Sequence, residues 1–134
     1  MSLEELFGQA SAIRERAYAP YSQFRVGAAI CDENGEVHCG LNVENAAYPN
    51  GICAETAAIA AMVAAGGTRI RSIVVVGSGE MLCTPCGACR QRIREFGTEE
   101  TKVAVAGPEG VRKVFTLEEL LPFSFGPKNL ENSN

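Results

Sequence analysis

The 134-residue sequence lacks the features of a membrane protein, of an exported protein and of a polynucleotide-binding protein. No apolar run approaches the roughly 18 residues that a membrane-spanning helix needs. The first residues include Glu4 and Glu5, whereas a secretory signal begins with basic residues. Lysine and arginine are scattered through a chain of net charge -4, without the basic stripe that grips a polyanion. We therefore predict a cytoplasmic protein with a small ligand and with neither a membrane nor a polynucleotide as partner.

Histidine is nearly absent, whereas cysteine is not. His38 is the only histidine; it has no metal-like spacing to the cysteines and is predicted to be a surface residue of a hairpin. Six cysteines occur at positions 31, 39, 53, 83, 86 and 89. In a reducing compartment, clustered thiols indicate metal or redox chemistry rather than a disulfide framework. Cys31 and Cys39 lie outside the cluster and are predicted to be ordinary buried thiols.

The composition and length fit a single domain over residues 1–134, because 46% of the residues are hydrophobic and 21% are charged. Hydrophobic periodicity and turn signals predict the element order αββαβαββα. Helical crossovers make the third and fourth strands parallel, and the short turn PEG makes the fifth antiparallel to the fourth. The fold class predicted is therefore α/β, with three layers, α/β/α, around a mixed five-stranded sheet.

Local signals place the individual elements. Ser2 and Glu5 form a capping box, and apolar spacing carries the first helix to about Tyr18. FRVGAAIC and EVHCGLNVE predict a hairpin around DENG, and IRSIVVVG predicts a strand buried on both faces. Helices are predicted over residues 53–65 and 86–96, and a last one after the capping box of Thr116 and Glu119. The polar tail, residues 126–134, is predicted to be frayed.

Three cysteines of the cluster occupy the first turns of two predicted helices. Cys86 and Cys89 are three residues apart and therefore share a helix face, and Cys53 begins the other helix. Helix N-termini lower thiol pKa values, and soft thiolates favour tetrahedral Zn²⁺. Three protein ligands leave one position for water, whose pKa zinc lowers to about 7. Glu55, two residues after Cys53, is placed to move protons to and from that water.

The same residues also allow other interpretations. C-x-x-C alone is compatible with a structural zinc knuckle or a redox pair, and Cys83 could close the site as a fourth ligand. An iron–sulfur cluster is a third possibility, although the x₃-C-P that completes a ferredoxin motif is missing. Glu55 could simply be an acid that the helix dipole favours.

The combination of C-A-E with P-C-G-A-C-R-Q resembles the zinc nucleoside deaminases. These enzymes carry the signature H-x-E…P-C-x-x-C, in which the Glu is a general acid and base. A cysteine in place of the first histidine is similar to the small homotetrameric cytidine deaminases. The likeness runs from YAPYSQFRVGAA through GLNVENAAYPNGICAE to EELLPFSF, which is nearly the whole chain.

The resemblance implies hydrolytic deamination of cytidine and 2′-deoxycytidine in pyrimidine salvage. It implies one Zn²⁺ per subunit and a homotetramer with shared active sites. The alternative is a deaminase of another cytosine-bearing small molecule, such as blasticidin S. Glu44 favours a plain ribose, because blasticidin deaminases resemble this chain at the zinc motifs but lack its Asn-x-Glu pair. A rival of another class is a zinc-stabilised binding module without catalysis.

The resemblance also implies a role for particular residues. Glu55 would pass a proton from the water at zinc to N3 of the pyrimidine, and the zinc ligands would be Cys53, Cys86 and Cys89. The Ala54 backbone would meet the base edge, Phe24 would pack against the nucleoside, and Asn42 and Glu44 would hold the ribose hydroxyls. The residues implied to reach a neighbouring subunit's pocket are Ala46, Tyr48 and Phe125. Asn42 and Glu44 alternate along a predicted strand, so both should point to one face.

One position departs from the family's pattern. Many three-cysteine members have arginine directly after the catalytic glutamate, where this chain has Thr56. Zinc with three thiolates carries a net charge of about -1, which blunts its Lewis acidity unless neighbouring donors offset it. We expect Arg90, beside Cys89, to carry most of that task, with the Thr56 hydroxyl as a second donor.

The predicted helix CAETAAIAAMVAAGG has small residues on almost every face. A helix covered on one side only would show a polar stripe on the other. We therefore predict that this helix packs in a subunit interface as well as against its own sheet.

Overall fold

A computed structural model describes residues 1–131 of the chain. These residues form α-helices and β-strands, with a short 3₁₀ helix over Tyr48–Asn50. The α-helices are α1 (Leu3–Arg14), α2 (Ala54–Ala64), α3 (Gly87–Phe96), α4 (Leu117–Leu120) and α5 (Lys128–Glu131). The strands are β1 (Gly27–Asp32), β2 (Val37–Leu41), β3 (Ile70–Val76), β4 (Lys102–Gly107) and β5 (Gly110–Thr116).

The five strands form one mixed sheet in the order β2-β1-β3-β4-β5. β3 and β4 are parallel, and the other neighbouring strands are antiparallel. A helical crossover joins the parallel pair, while a two-residue turn joins β4 to β5, because only antiparallel strands allow so short a connection. The predicted α/β fold with a mixed five-stranded sheet is confirmed.

Both faces of the sheet are covered by helices. Successive β3 residues alternate between the faces, so Val74 packs in the cluster under α1, and Val75 packs in the cluster under α2 and α3. Both valines are fully buried. This confirms the prediction, from its nearly continuous β-branched sequence, that the strand is buried on both faces.

α1 begins as predicted but ends earlier. The Ser2 and Glu5 capping box is present, with both hydrogen bonds at 3.1 Å. The helix ends at Arg14, not at about Tyr18, because Tyr18 has left it to pair with the segment after β2. The Tyr18 N–H donates to the Asn42 carbonyl at 3.0 Å, and the Glu44 N–H donates to the Tyr18 carbonyl at 2.9 Å. A helical Tyr18 could not offer those groups to a second chain segment.

α2 lies very close to β2. Gly40 of β2 faces the helix, and a Cβ atom there would collide with the backbones of Ala54 and Ala58. The small inner face of α2 and this glycine together let the helix backbone approach the sheet, which holds the N-terminus of α2 against the sheet edge. The predicted starts of α2 and α3 are correct to one residue, since Cys53 and Cys86 are their N-caps.

Two predictions at the periphery were wrong. The His38 side chain is 10% exposed rather than a surface group, because its ring hydrogen-bonds the buried Asp32 carboxylate at 2.8 Å. The tail is not wholly frayed: Lys128–Glu131 form a helical turn, and the Gly126 N–H donates to the Asn129 side chain. Residues 132–134 of the predicted frayed tail lie outside the described residues. Over residues 1–131 no helix is long and apolar enough to cross a bilayer.

Candidate metal and active site

Three thiols converge where α2 and α3 begin. The Sγ atoms of Cys53, Cys86 and Cys89 all lie within 4.8 Å of one another. Around a tetrahedral zinc ion with Zn–S bonds of about 2.3 Å, two thiolate sulfurs lie about 3.8 Å apart. The donor set therefore fits zinc in both type and spacing.

The surroundings of the three thiols shift their pKa values in different directions. The Cys89 backbone N–H, at the free N-terminus of α3, is the main cause that lowers the pKa of Cys86. Burial, the largest cause in each case, raises the pKa values of Cys53 and Cys89. Neighbouring negative charges raise them further, so the full thiolate set needs a cation to stabilise it.

Glu55 lies in the first turn of α2, beside these thiols. It is one of the few buried polar residues of the described chain, at 6% exposure. Burial raises the pKa of its carboxyl, and this outweighs the opposing effects of a backbone N–H and of the Arg92 charge. The group is thus brought towards the pH range in which it can both accept and donate a proton.

A cavity of about 590 Å³ opens onto this group. Its walls include Cys53, Ala54, Glu55 and Cys86, which come from the two helix starts. The opposite elements, the segment after β2 and the loop after α1, also line it. A buried acid and thiols in one concave site are typical of a metal-assisted active site.

Comparison with known proteins identifies the family. The zinc-binding region described for cytidine and deoxycytidylate deaminases matches residues 1–105. The chain belongs to this deaminase family. It is 38% identical to a cytidine deaminase of Sporosarcina psychrophila over 97% of this chain and 96% of that protein. It is 37% identical to one of Halalkalibacterium halodurans over 98% of this chain and the whole of that protein.

Solved structures of the family share the fold. The cytidine deaminase of Burkholderia pseudomallei superposes with a TM-score of 0.86 at 42% identity, covering 93% of this chain and 100% of that one. The enzyme of Mycobacterium tuberculosis gives a TM-score of 0.81 at 37% identity, with 94% and 98% of the chains covered. The chain therefore has a zinc-binding deaminase domain, in which Cys53, Cys86 and Cys89 are positioned to hold the ion.

Asn42 and Glu44 line the cavity, as expected of residues that meet a substrate, but they are not part of a regular strand. β2 ends at Leu41, and Val43 makes only isolated bridges to Tyr18 and Ile52. The Asn42 amide accepts from the Val26 N–H and donates to the Phe24 carbonyl, both at 2.9 Å. It thereby shapes the wall that the loop after α1 forms.

Glu44 holds an earlier part of the same loop. Its carboxylate accepts from the Tyr21 N–H at 2.9 Å, from the Ser22 N–H at 3.1 Å and from the Ser22 hydroxyl. The Ser22 hydroxyl is the main cause that lowers the pKa of Glu44. An ionised acceptor thus faces the cavity. Tyr21 and Ser22 also line the cavity, although neither was predicted from the sequence.

Three residues were predicted to reach a neighbouring subunit's pocket, and they lie in different environments in this deaminase chain. Tyr48 lines the chain's own cavity and packs edge-to-face on Tyr21, with ring centroids 6.0 Å apart. Ala46 and Phe125 are exposed and are not among the cavity walls, and neither is Phe24. Phe24 and Phe125 are exposed by 39% and 56%, so neither is a core residue of this chain.

Cys83 is close to the metal ligands but is not one of the converging group. It lines the cavity, and its side chain is so close to Gly77 that a Cβ atom at that glycine would collide with it. Burial, together with the negative charge of Glu55, raises the pKa of Cys83 to about 11. Its position outside the converging group, rather than its pKa, favours the open three-cysteine site.

Arg90 does not contact the thiols, contrary to what we expected of it. Its guanidinium donates to the Pro85 carbonyl at 2.7 Å, the Leu120 carbonyl at 2.8 Å and the Thr84 hydroxyl at 3.3 Å. Adjacent residues of a helix point in different directions, and Arg90 follows Cys89 directly. Arg90 therefore supports the loop before α3 instead of compensating the thiolates.

Proposed function

We propose that this protein catalyses the hydrolytic deamination of cytidine and 2′-deoxycytidine to uridine and 2′-deoxyuridine, with release of ammonia. One observation carries the proposal: a single cavity brings together Glu55, two of the three converging thiols, Asn42 and Glu44. The named relatives are cytidine deaminases and align over nearly the whole chain, which supports the same substrate. We place the reaction in pyrimidine salvage in the cytoplasm, within one domain.

The metal ligands in this proposal are Cys53, Cys86 and Cys89, with one zinc ion per chain. When bound, zinc supplies a Lewis acid that lowers the pKa of a water molecule to about 7. The chain supplies three ligands, which is the number that catalytic zinc sites use.

Glu55 moves the protons. It takes one proton from the attacking water and delivers it to N3 of the pyrimidine while the water oxygen bonds to C4. It then carries the second proton of that water to the exocyclic amine, the C4–N bond breaks, and ammonia leaves. The carbonyl of the uracil remains. The upward shift of the Glu55 pKa suits a group that must accept and donate in one cycle.

Asn42 and Glu44 hold the ribose hydroxyls, and the Ala54 backbone meets the base edge. Glu44 is suited to this because an ionised carboxylate is a strong acceptor for hydroxyl donors. Phe24 packs against the nucleoside, and its 39% exposure leaves part of the residue open to such a contact. A plain ribose fits this pair of polar groups better than the altered sugar of blasticidin S.

The working form is a homotetramer with shared active sites. Exposed side chains on the outer face of α2, among them Val63 at 51% exposure, support burial by another subunit. Phe125 and Ala46, exposed and outside their own cavity, reach a neighbour's pocket, and Tyr48 contributes to both. Sedimentation that finds the activity in a monomer contradicts this assembly.

The function is tested by mixing the purified protein with cytidine, 2′-deoxycytidine and blasticidin S. We expect loss of the cytosine absorbance band and equimolar ammonia with the two nucleosides. Turnover of blasticidin S alone would favour the alternative aminohydrolase. One zinc per chain without turnover of any of the three would favour a zinc-stabilised binding module.

A further inference from the structure

The zinc site carries more negative charge than its ion can balance. Three thiolates and one Zn²⁺ leave a net charge of about -1, and the buried Glu55 adds to it. The residue after Glu55 is Thr56, which is uncharged. The compensating cation must therefore come from another position of the fold.

The surroundings of the Cys89 sulfur contain such a cation. Its side chain is fully buried, so its sulfur depends on protein donors rather than on bulk water. The Arg92 guanidinium donates to the Cys89 Sγ at 3.8 Å, and the Thr56 hydroxyl lies 3.9 Å from the same sulfur. Arg92 is three residues after Cys89 and therefore projects from the same face of α3.

The charge of Arg92 is available for this sulfur. Among the described residues, salt bridges join Arg14 to Glu15, His38 to Asp32 and Arg112 to Glu109, and none involves Arg92. The guanidinium that contacts the Cys89 sulfur is thus held by no carboxylate of residues 1–131.

Arg92 and Thr56 are in addition brought together by a second cavity of about 300 Å³ between α2 and α3. Its remaining walls are Ile59, Gln91, Glu95 and Phe96. A residue longer than Thr56 could extend into this space from α2 and reach the position that the Arg92 guanidinium occupies from α3. An arginine at position 56 on α2 or at position 92 on α3 can therefore place a cation beside Cys89.

We propose that Arg92 is the positioning residue that compensates the Cys89 thiolate and retains the metal, in place of an arginine after Glu55. The inference rests on the proposed zinc site and assigns to Arg92 the role that the sequence analysis gave to Arg90. Arg92 acts through Cys89 and does not contact the reacting atoms.

The test measures zinc release from the intact loaded protein to a chromogenic chelator at neutral pH. We expect Arg92→Gln to retain zinc about 10–100-fold less well than the wild type, because the Cys89 thiolate has lost its charged donor. Arg92→Lys should restore part of the effect. The double variant Arg92→Gln with Thr56→Arg should restore most of it, since it returns the cation from the other helix.

The matched control is Arg16→Gln, which removes an exposed guanidinium from the turn just after α1, far along the chain from the metal ligands. It should release zinc like the wild type. The inference is overturned if Arg92→Gln does so too, if Arg90→Gln weakens zinc retention while Arg92→Gln does not, or if Thr56→Arg gives no rescue. Melting temperatures of the zinc-free variants show whether any of them is simply misfolded, and in that case Arg92→Lys and the rescue variant decide.

The two proposals fail in different ways. Wild-type deamination of cytidine with no effect of Arg92→Gln on zinc release overturns only the role of Arg92. Weak zinc retention in Arg92→Gln without any cytidine deamination by the wild type overturns only the proposed function.

Discussion

Two buried carboxylates lie at opposite ends of α2, and their surroundings shift their pKa values in opposite directions. Glu55 is in the first turn of the helix. Asp32, at the end of β1, is near the other end, because a Cβ atom at Gly67 would lie 3.0 Å from its Oδ2. The two residues are 6% and 2% exposed, so burial alone does not distinguish them.

Hydrogen bonds make the difference. The Asp32 carboxylate has His38 at 2.8 Å and accepts from the Asn34 and Glu36 N–H groups at 2.8 and 3.0 Å. The His38 contact is the main cause that lowers the pKa of Asp32, whereas burial raises the pKa of Glu55. A buried acid whose partners are fixed stabilises a turn, and one with few partners is free to exchange protons.

The largest expected effect that tests this comparison is that of Glu55→Gln. Removal of a general acid and base should lower kcat by about 10²–10⁴-fold. The folded state should not suffer, because a raised pKa means that the charged form of Glu55 is disfavoured by folding at neutral pH. Steady-state kinetics and thermal melting of one zinc-matched preparation check both parts. A fully active variant would remove Glu55 from the mechanism.

Asp32→Ala should show the reverse pattern. Loss of the turn's acceptor should cost about 1–3 kcal/mol of unfolding free energy, since buried donors lose their partner. The kcat of the molecules that remain folded should equal that of the wild type. Glu36→Ala, which removes an exposed acid from the same turn, is the control and should melt like the wild type. A loss of kcat with unchanged stability would show that the two acids are not separated in role.

A smaller effect is expected in the pH dependence of stability. The folded pKa of Asp32 is depressed, so its contribution is complete above the unfolded pKa of about 3.9 and is lost as the pH falls through the folded value. The stability gap between the wild type and Asp32→Asn should therefore narrow as the pH falls below about 4. Acid releases zinc from both proteins, so the difference between their melting temperatures is the quantity to follow. A gap that stays constant to low pH would contradict the assigned role of the Asp32 charge.

The smallest effect concerns Cys83. Its thiol, with a pKa of about 11, is neutral at pH 7, and valine is close to it in volume and polarity. We expect Cys83→Val to bind one zinc per chain with unchanged retention. The comparison variant is Cys86→Ser, which replaces a second thiol of the same loop and should lose the metal. Zinc loss in Cys83→Val would mean that the site is closed by a fourth cysteine.

The helix starts were predicted well, because local sequence sets their positions. The starts of α2 and α3 were placed within one residue, because an N-cap and the residues after it are set within a single turn. The end of α1 was missed because Tyr18 pairs with Val43, a partner 25 positions away that no local pattern reveals. Arg92 was overlooked although a signal existed: its spacing of three from Cys89 places both on one helix face, which Arg90 cannot share.

Local sequence places one glutamate and three cysteines at two helix starts, at spacings that belong to single turns: Cys53, Glu55, Cys86 and Cys89. The packing of distant segments decides which partners the thiols, the cavity loop and the buried Asp32 have. That Arg92 faces Cys89, that Glu44 holds the backbone of Tyr21 and Ser22, and that His38 lies against Asp32 each depend on segments packed together from distant parts of the chain. The physical reason is that a side chain's partners, and with them its charge state, follow from which faces are buried against each other.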